Sequence, residues 1–216
     1  MTDMSETLDL RLEPVRDCQS IKGVLFPSQV KFRQLIVTGP PGSGKTTLIS
    51  RIGGWPEEGY IDLTLKGWWK AQSLSLRPRE IHLGLPFVGR EEALAMFEPD
   101  WLSSWDRLEL DPDRIELPPP KRFLLSVNWR ARFVFEFLLP APETILRLRQ
   151  ERSRLGTHPV DAHLDLGQIR RQVGVFGQTA KYFHRQGMVV YVREDLDAAP
   201  CRIICEANDS EHVRAD

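Results

Sequence analysis

The chain has 216 residues, 41% hydrophobic and 27% charged, with a formal net charge of −1. This profile fits one sizeable globular domain, or a domain with an insertion, and excludes an electrostatic ground for nucleic-acid or anionic-membrane binding. Arginine outnumbers lysine 22 to 7. A compositional bias of the source genome explains that total equally well, so only the placement of individual arginines carries an argument. Cys18, Cys201 and Cys205 are too few, and odd in number, for a disulfide framework. They point to a reducing compartment, by default the cytoplasm. Cys201 and Cys205 lie four apart in an expected strand with no His or Cys at ligand spacing, which argues against a metal. No apolar run approaches the roughly 18 residues of a membrane span, and the acidic N-terminus is unlike a signal peptide.

In chain order, residues 1–30 read as an N-terminal extension ahead of a domain spanning 31–216. Leu8, Leu10 and Leu12 alternate with polar residues as in a half-buried strand, and Pro14 and Pro27 break up the rest of the extension. Phe32 to Val37 is a buried-strand pattern running into a glycine-rich stretch. Thr46 to Ile52 is the expected helix behind it, ended by Gly53-Gly54. Tyr60 to Leu63 forms a second short strand carrying Asp62, and Leu65 to Leu74, with Trp68 and Trp69, reads as helical. Glu80 to Phe87 is a third strand and Glu91 to Phe97 a short helix. Pro112 and Pro118-Pro119-Pro120 make 99–120 a stretch of turns, so about 64–122 reads as an irregular Trp/Pro-rich insertion for substrate or partner.

Strand patterns resume at Phe123 to Val127 and at Phe133 to Leu139. Pro142 to Leu155 is a helix with proline near its start. Leu166, Ile169, Val173, Phe176, Ala180 and Phe183 recur at spacings of 3, 4, 3, 4 and 3, which predicts an amphipathic helix. Met188 to Val192 and Arg202 to Cys205 close the chain as strands. Alternating strands and helices predict an α/β fold with a mostly parallel, helix-covered sheet.

The stretch after the first buried strand is GPPGSGKTT: Gly39, Pro40, Pro41, Gly42, Ser43, Gly44, Lys45, Thr46 and Thr47. It matches G-x-x-x-x-G-K-[ST] at Gly39, Gly44, Lys45 and Thr46. Gly42 and Gly44 permit backbone that turns successive N–H groups toward a phosphate. The helix behind adds its positive end. Lys45 can reach the β and γ phosphates, and the Thr46 hydroxyl can ligate Mg²⁺. At these residues the chain resembles P-loop NTPases. The resemblance implies a three-layer P-loop fold that binds ATP, with GTP left open, together with Mg²⁺.

Asp62 comes 17 residues after Lys45 at a strand end, which borders the ligand crevice in an open parallel sheet. It accepts a proton from an acceptor hydroxyl or holds Mg²⁺ through water. Here the chain resembles P-loop small-molecule kinases such as shikimate and gluconate kinases, which carry an acid near this point. The other reading is that Asp62 caps the next helix. The run Leu138-Leu-Pro-Ala-Pro-Glu-Thr-Ile-Leu-Arg-Leu-Arg-Gln-Glu-Arg-Ser-Arg-Leu-Gly-Thr157 resembles guanylate kinase and its nucleoside-monophosphate-kinase relatives. That resemblance implies a lid at about 147–165 whose arginines grip the transferring phosphoryl group.

On a helical wheel Arg152 shares a side with Ile145, Leu148 and Leu155, while Arg147 and Arg154 point away. Arg149 and Arg154 become candidates if the helix ends early. The plainer reading is a solvated face with snorkelling stems. His158 and His163 read as surface histidines. Farther on, Arg170 flanks the apolar stripe more closely than Arg171 and is the second candidate arginine. Val189 to Val192, with Glu194 to Asp197 after it, resembles the family's strand near the base pocket.

Departures accompany the likeness. No apolar strand ends in Asp as a second Mg²⁺ partner: the strongest late strand carries Glu136 in its middle and ends at Pro140. No guanylate-kinase substrate signature lies between 64 and 120. Ser126-Val-Asn128-Trp-Arg130 with Arg132-Phe133 echoes an AAA+ stretch, but the Asp-Glu strand that should precede it is missing. So are the ABC signature and the GTPase Asn-Lys-x-Asp. The expectation is an ATP-dependent phosphotransferase in which Lys45 and the loop amides hold ATP, Thr46 holds Mg²⁺, Asp62 handles the acceptor, and Arg152 and Arg170 neutralise charge. The acceptor is an unidentified small molecule or nucleotide. The alternative is a regulatory ATPase or weakly active nucleotide-binding protein whose Trp-rich 55–105 segment meets a protein partner. A second core under the insertion explains those tryptophans equally well.

Overall fold

Phe133–Leu138, FVFEFL, is buried at every position, as a strand covered on both faces must be. The computed structural model describes residues 10–29, 34–54, 60–62, 66–70, 79–80, 82–84, 112–120 and 130–204. In chain order the strands are β1 (Leu12–Pro14), β2 (Cys18–Ile21), β3 (Val24–Pro27), β4 (Gln34–Thr38) and β5 (Tyr60–Asp62). They continue with β6 (Arg79–Glu80), β7 (His82–Gly84), β8 (Phe133–Leu138), β9 (Val189–Arg193) and β10 (Cys201–Ile203). The helices are α1 (Lys45–Arg51), α2 (Pro142–Arg154) and α3 (Leu166–Arg185).

Six strands form one sheet in the order β1-β10-β9-β8-β4-β6. β6, β4, β8 and β9 are parallel, and β10 and β1 add an antiparallel flank. Three of the five pairings are parallel, so the sheet is mostly parallel, as expected, with an antiparallel edge that the sequence pattern did not announce. Two smaller ladders, antiparallel β2–β3 and parallel β5–β7, stand outside it.

Alternation along β8 sends its side chains into two cores. Phe133, Phe135 and Phe137 join Ile145 of α2 and Ile169, Val173, Phe176, Ala180 and Phe183 of α3. Phe135 and Phe183 pack with ring centroids 4.8 Å apart. On the opposite face Val134 joins Leu35 and Val37 of β4, Leu48 and Ile49 of α1, and Val24 and Phe26 of the hairpin. Every apolar position predicted for the stripe on α3, from Ile169 to Phe183, is buried. Asp165 starts that helix with a capping box to Gln168, which satisfies otherwise orphaned N–H groups.

Several expectations need correction. Residues before 31 contribute more than one short strand: β1 pairs with β10, and β2–β3 is a hairpin capping the α1-side core. Of the helix expected over Leu65 to Leu74, the described residues 66–70 hold a single 3₁₀ turn at Trp68–Lys70, and the rest lies outside the described residues. Gly67, at φ 70°, turns the chain there and donates its N–H to Glu116 Oε2 at 2.6 Å. Trp68 and Trp69 are buried in the α3-side core, against Phe133 and Phe135 in the case of Trp68, so they form neither a second core nor an exposed surface. The expected third strand is divided between β6, beside β4, and β7, beside β5. Leu155 is 74% exposed rather than inward, because α2 ends at Arg154 and Gly156, at φ 74°, turns the chain away. The helix expected at 91–97, the strand at 123–127, Cys205, and Trp55, Trp101, Trp105 and Trp129 lie outside the described residues.

Glu136 interrupts the apolar run of β8 and is 1% exposed. Its carboxylate accepts from Nε of Arg193, the last residue of β9, which is wholly buried. Arg193 also donates to the Ala198 carbonyl at 2.5 Å and to the Leu25 carbonyl at 2.6 Å, and lies over the Phe26 ring at 5.3 Å. Burial pushes the Glu136 carboxyl up from its usual range, and the charge and hydrogen bond of Arg193 oppose that. One guanidinium thus ties together β8, the 194–200 loop and the β2–β3 hairpin. Breaking such a pair strands an uncompensated buried charge. Glu136→Gln should therefore lower the unfolding free energy by about 3–5 kcal/mol in urea denaturation, and a loss within 1 kcal/mol, the order of an exposed pair, would refute this role.

Candidate functional site

The nine-residue stretch 39–47 leaves the C-terminal end of β4 and enters α1. Its three glycines all take positive φ: 153° at Gly39, 83° at Gly42 and 96° at Gly44. Two of them also leave no room for a side chain. A Cβ on Gly39 would lie 2.3 Å from the Leu138 carbonyl oxygen and 2.9 Å from Ser43 Oγ. A Cβ on Gly42 would lie 2.6 Å from Cγ and 3.0 Å from Cδ of Arg149. Gly44 is looser, its nearest neighbour being Leu196 of the 194–200 loop at 3.5 Å.

Lys45 is the first residue of α1 and is 4% exposed. Its Nζ donates to the Gly39 carbonyl at 3.0 Å and the Pro40 carbonyl at 3.1 Å, so the ammonium closes the loop on itself. Thr46 and Thr47 are exposed. Ser43 Oγ is buried in the loop with no hydrogen-bond partner. A loop of this shape, with a buried cation at its centre and an orphaned hydroxyl, has the chemistry of an anion cradle.

Two arginines of α2 reach this loop. Arg149, 2% exposed, lays its aliphatic stem across Gly42. Its head donates from Nε and Nη2 to Asp161 Oδ1 at 2.9 and 2.7 Å, and from Nη1 to Gln172 Oε1 of α3 at 2.9 Å. Arg152 donates from Nη2 to Asp161 Oδ2 at 2.8 Å, and its side chain is 34% exposed. That Nη2 lies 3.6 Å from where a Gly42 Cβ would stand. Burial lowers the pKa of Arg149 from its ordinary value, and the hydrogen bond and charge of Asp161 oppose the shift.

The expected site residues are thus brought together unequally. Arg152 stands beside the loop, as its wheel position suggests. Arg149, named only for the case of an early helix end, is the deeper of the two. Arg154 is exposed. Arg170 pairs with Glu143 of α2 at 3.0 Å, both half exposed, and not with the loop. His158 is exposed, as expected, its Nδ1 3.2 Å from Thr157 Oγ1, and so is His163. Asp62 ends β5 with its backbone opposite Gly84 of β7. Sequence reasoning passed over Asp161, which sits 1% exposed in the 3₁₀ turn Pro159–His163. Its signal was an acid shortly after a helix rich in arginine.

Both strands flanking β4 place a glutamate opposite Val37: Glu80 on β6 and Glu136 on β8. Glu136 is committed to Arg193. Among the described residues no three His, Cys, Asp or Glu side chains gather to hold a metal. A shallow depression of about 500 Å³ lies on the outer face of α2, lined by Arg147, Gln150, Glu151, Arg154 and Leu155, and contains none of the loop residues. No helix among the described residues is long and apolar enough to cross a membrane.

No family model matches the chain, no curated protein is significantly similar to it, and no solved structure matches it significantly. The geometry of the loop and of its two arginines therefore stands by itself.

The contact on Gly42 separates backbone strain from steric conflict. Gly187, at φ 76°, has nothing within 4 Å of its would-be Cβ, so Gly187→Ala should cost only the left-handed penalty of about 1–2 kcal/mol. Gly42→Ala carries the same penalty and must also lift Arg149 off the loop. It should therefore lose clearly more stability than Gly187→Ala in parallel urea denaturations.

Proposed function

We propose that the chain is a P-loop protein of three-layer α/β kind that binds a nucleoside triphosphate with Mg²⁺ and transfers the γ-phosphate to a small-molecule or nucleotide acceptor. The observation that carries this reading is the loop itself. Three glycines at positive φ surround a buried lysine, and an arginine from a separate helix stands over the same glycine turn. A cation within the loop and a second beside its glycine turn are the kind of charge that phosphoryl transfer asks of a protein.

In this reading Lys45 exchanges its two carbonyl acceptors for phosphate oxygens, and the backbone amides of 42–46 complete the cradle. The exposed Thr46 hydroxyl is the chain's ligand for Mg²⁺, which would shield charge on the phosphates. Arg152 neutralises charge that develops on the transferring group, and Arg149 shapes the floor beneath it. Asp62 is the proposed base for the acceptor hydroxyl. Its support is topological: β5 runs parallel to β7, and β6, one residue before β7, runs parallel to β4. Arg170 already has an exposed partner in Glu143 and is left out of the proposed set. Cys18 and Cys201 are free thiols, which fits a cytoplasmic protein.

The test is turnover of Mg-ATP alone, with a panel of nucleotides and small alcohols, and with candidate proteins. Turnover that depends on a small acceptor is the expected result. Turnover without one, raised by a protein, would favour a regulatory ATPase instead. Lys45→Ala should abolish ATP binding in calorimetry, and unchanged binding would end the reading. Arg152→Ala should lower turnover by about 10³-fold or more while ADP binding persists. Asp62→Asn should remove transfer without lowering the melting temperature if the carboxylate serves as base.

A further inference from the structure

The two arginines over the loop differ in one respect that their shared acid explains. Arg149 donates from all three of its nitrogens: Nε and Nη2 go to Asp161 Oδ1, and Nη1 goes to Gln172. Arg152 spends Nη2 on Asp161 Oδ2, while its Nε is buried without a partner. The three side chains sum to one positive charge, and the member with access to solvent and to the loop is Arg152. The turn that delivers the acid is itself fastened to α2, since Thr157 bonds the Arg152 carbonyl through its N–H at 3.2 Å and its hydroxyl at 3.0 Å.

We infer that Asp161 is a positioning residue: one oxygen locks Arg149 as a strut across Gly42, and the other aims Arg152 at the terminal phosphate of a bound triphosphate. The inference rests on the nucleotide reading above and goes beyond it by assigning the residue that sets the arginine's aim. Arginine carries about 2 kcal/mol of rotamer entropy, so an unheld Arg152 at the end of α2 would spend most of its time in solvent. The carboxylate holds it before the nucleotide arrives. Because Arg152 stands over Gly42 and Lys45 holds the loop below, Asp161 acts on the outermost phosphate and leaves the inner ones to the loop.

Asp161→Asn discriminates well, because the amide oxygen can still accept from Arg149 while the amide nitrogen, now a donor, faces Arg152. The full chain is titrated by calorimetry with Mg-ADP and with the non-hydrolysable analogue Mg-AMP-PNP. Wild type should prefer AMP-PNP. Asp161→Asn should cut that preference by roughly tenfold or more, the worth of one charge-assisted hydrogen bond, with ADP affinity unchanged. In an Arg152→Ala background Asp161→Asn should remove nothing further from the preference. An equal loss for both nucleotides, an unchanged preference, or a gain in AMP-PNP affinity each overturns the inference. Binding of neither nucleotide by wild type overturns the nucleotide reading instead.

Should Asp161→Asn fail to fold, the wild-type protein supplies the test through the Nε–Hε signals of its arginines in NMR. The Arg152 signal should move with AMP-PNP and stay still with ADP, while that of Arg149 stays in place with both. An unmoved Arg152 signal refutes the assignment.

Discussion

A guanidinium with no access to water must find its acceptors inside the protein, and Arg193 finds them on three separate pieces of chain. Glu136 supplies the countercharge from β8, and the carbonyls of Ala198 and Leu25 accept from Nη1 and Nη2. The consequence reaches the glycine-rich loop. Fixing Ala198 fixes the 194–200 loop, and Leu196 of that loop packs beside Gly44. Arg51 of α1 and Asp197 pair across the same gap at 2.6 Å, though such an exposed pair adds little stability. The buried pair therefore sets the wall on one side of the loop.

Arg149 sets the other side by a different kind of force. Its charge is neutralised on Asp161, away from the loop, so what it presents to Gly42 is a hydrocarbon stem. Packing of that kind tolerates no extra atom. The glycine at 42 is thus required twice, once by its φ and once by the arginine above it. Two buried ion pairs, Glu136–Arg193 and Asp161–Arg149, hold the loop from opposite faces of the sheet. Neither needs to be a net source of stability against an apolar alternative. What they add is a fixed geometry around a loop whose own backbone has little side-chain packing to hold it.

How much of this was legible in the sequence depends on where each side chain sends its polar atoms. The apolar stripe of α3 and the run of β8 were legible because their periods match their burial. The glycine-rich loop was legible because only glycine tolerates its backbone. Leu155 was misplaced because a wheel assumes that the helix continues, and Gly156 ends it. Arg149 was undervalued because an arginine in a helix reads as solvated until an acid from another segment is known to meet it. Asp161 gives no local sign of burial, since its partners lie 9 and 12 residues earlier on α2. The pairing of Glu136 with Arg193 had a sign that could have been read. A charged residue in the middle of one fully apolar strand and another at the end of the next parallel strand each call for a countercharge.

The resting geometry of Lys45 joins these points. An ammonium buried at 4% exposure would be costly if unbonded, and two carbonyls of its own loop relieve that cost. Those carbonyls belong to Gly39 and Pro40, where the chain has just left β4 and is pressed against the Leu138 carbonyl. The loop is therefore held in shape by the same lysine that would bind an anion. A phosphate that takes the lysine away must replace what it was doing for the loop, through bonds to the amides of the glycine turn. Arg152, aimed from outside and anchored elsewhere, is exempt from that exchange. In the proposed reading this division would leave one cation whose movement reports occupancy of the loop and a second that acts on a ligand without disturbing the loop beneath it.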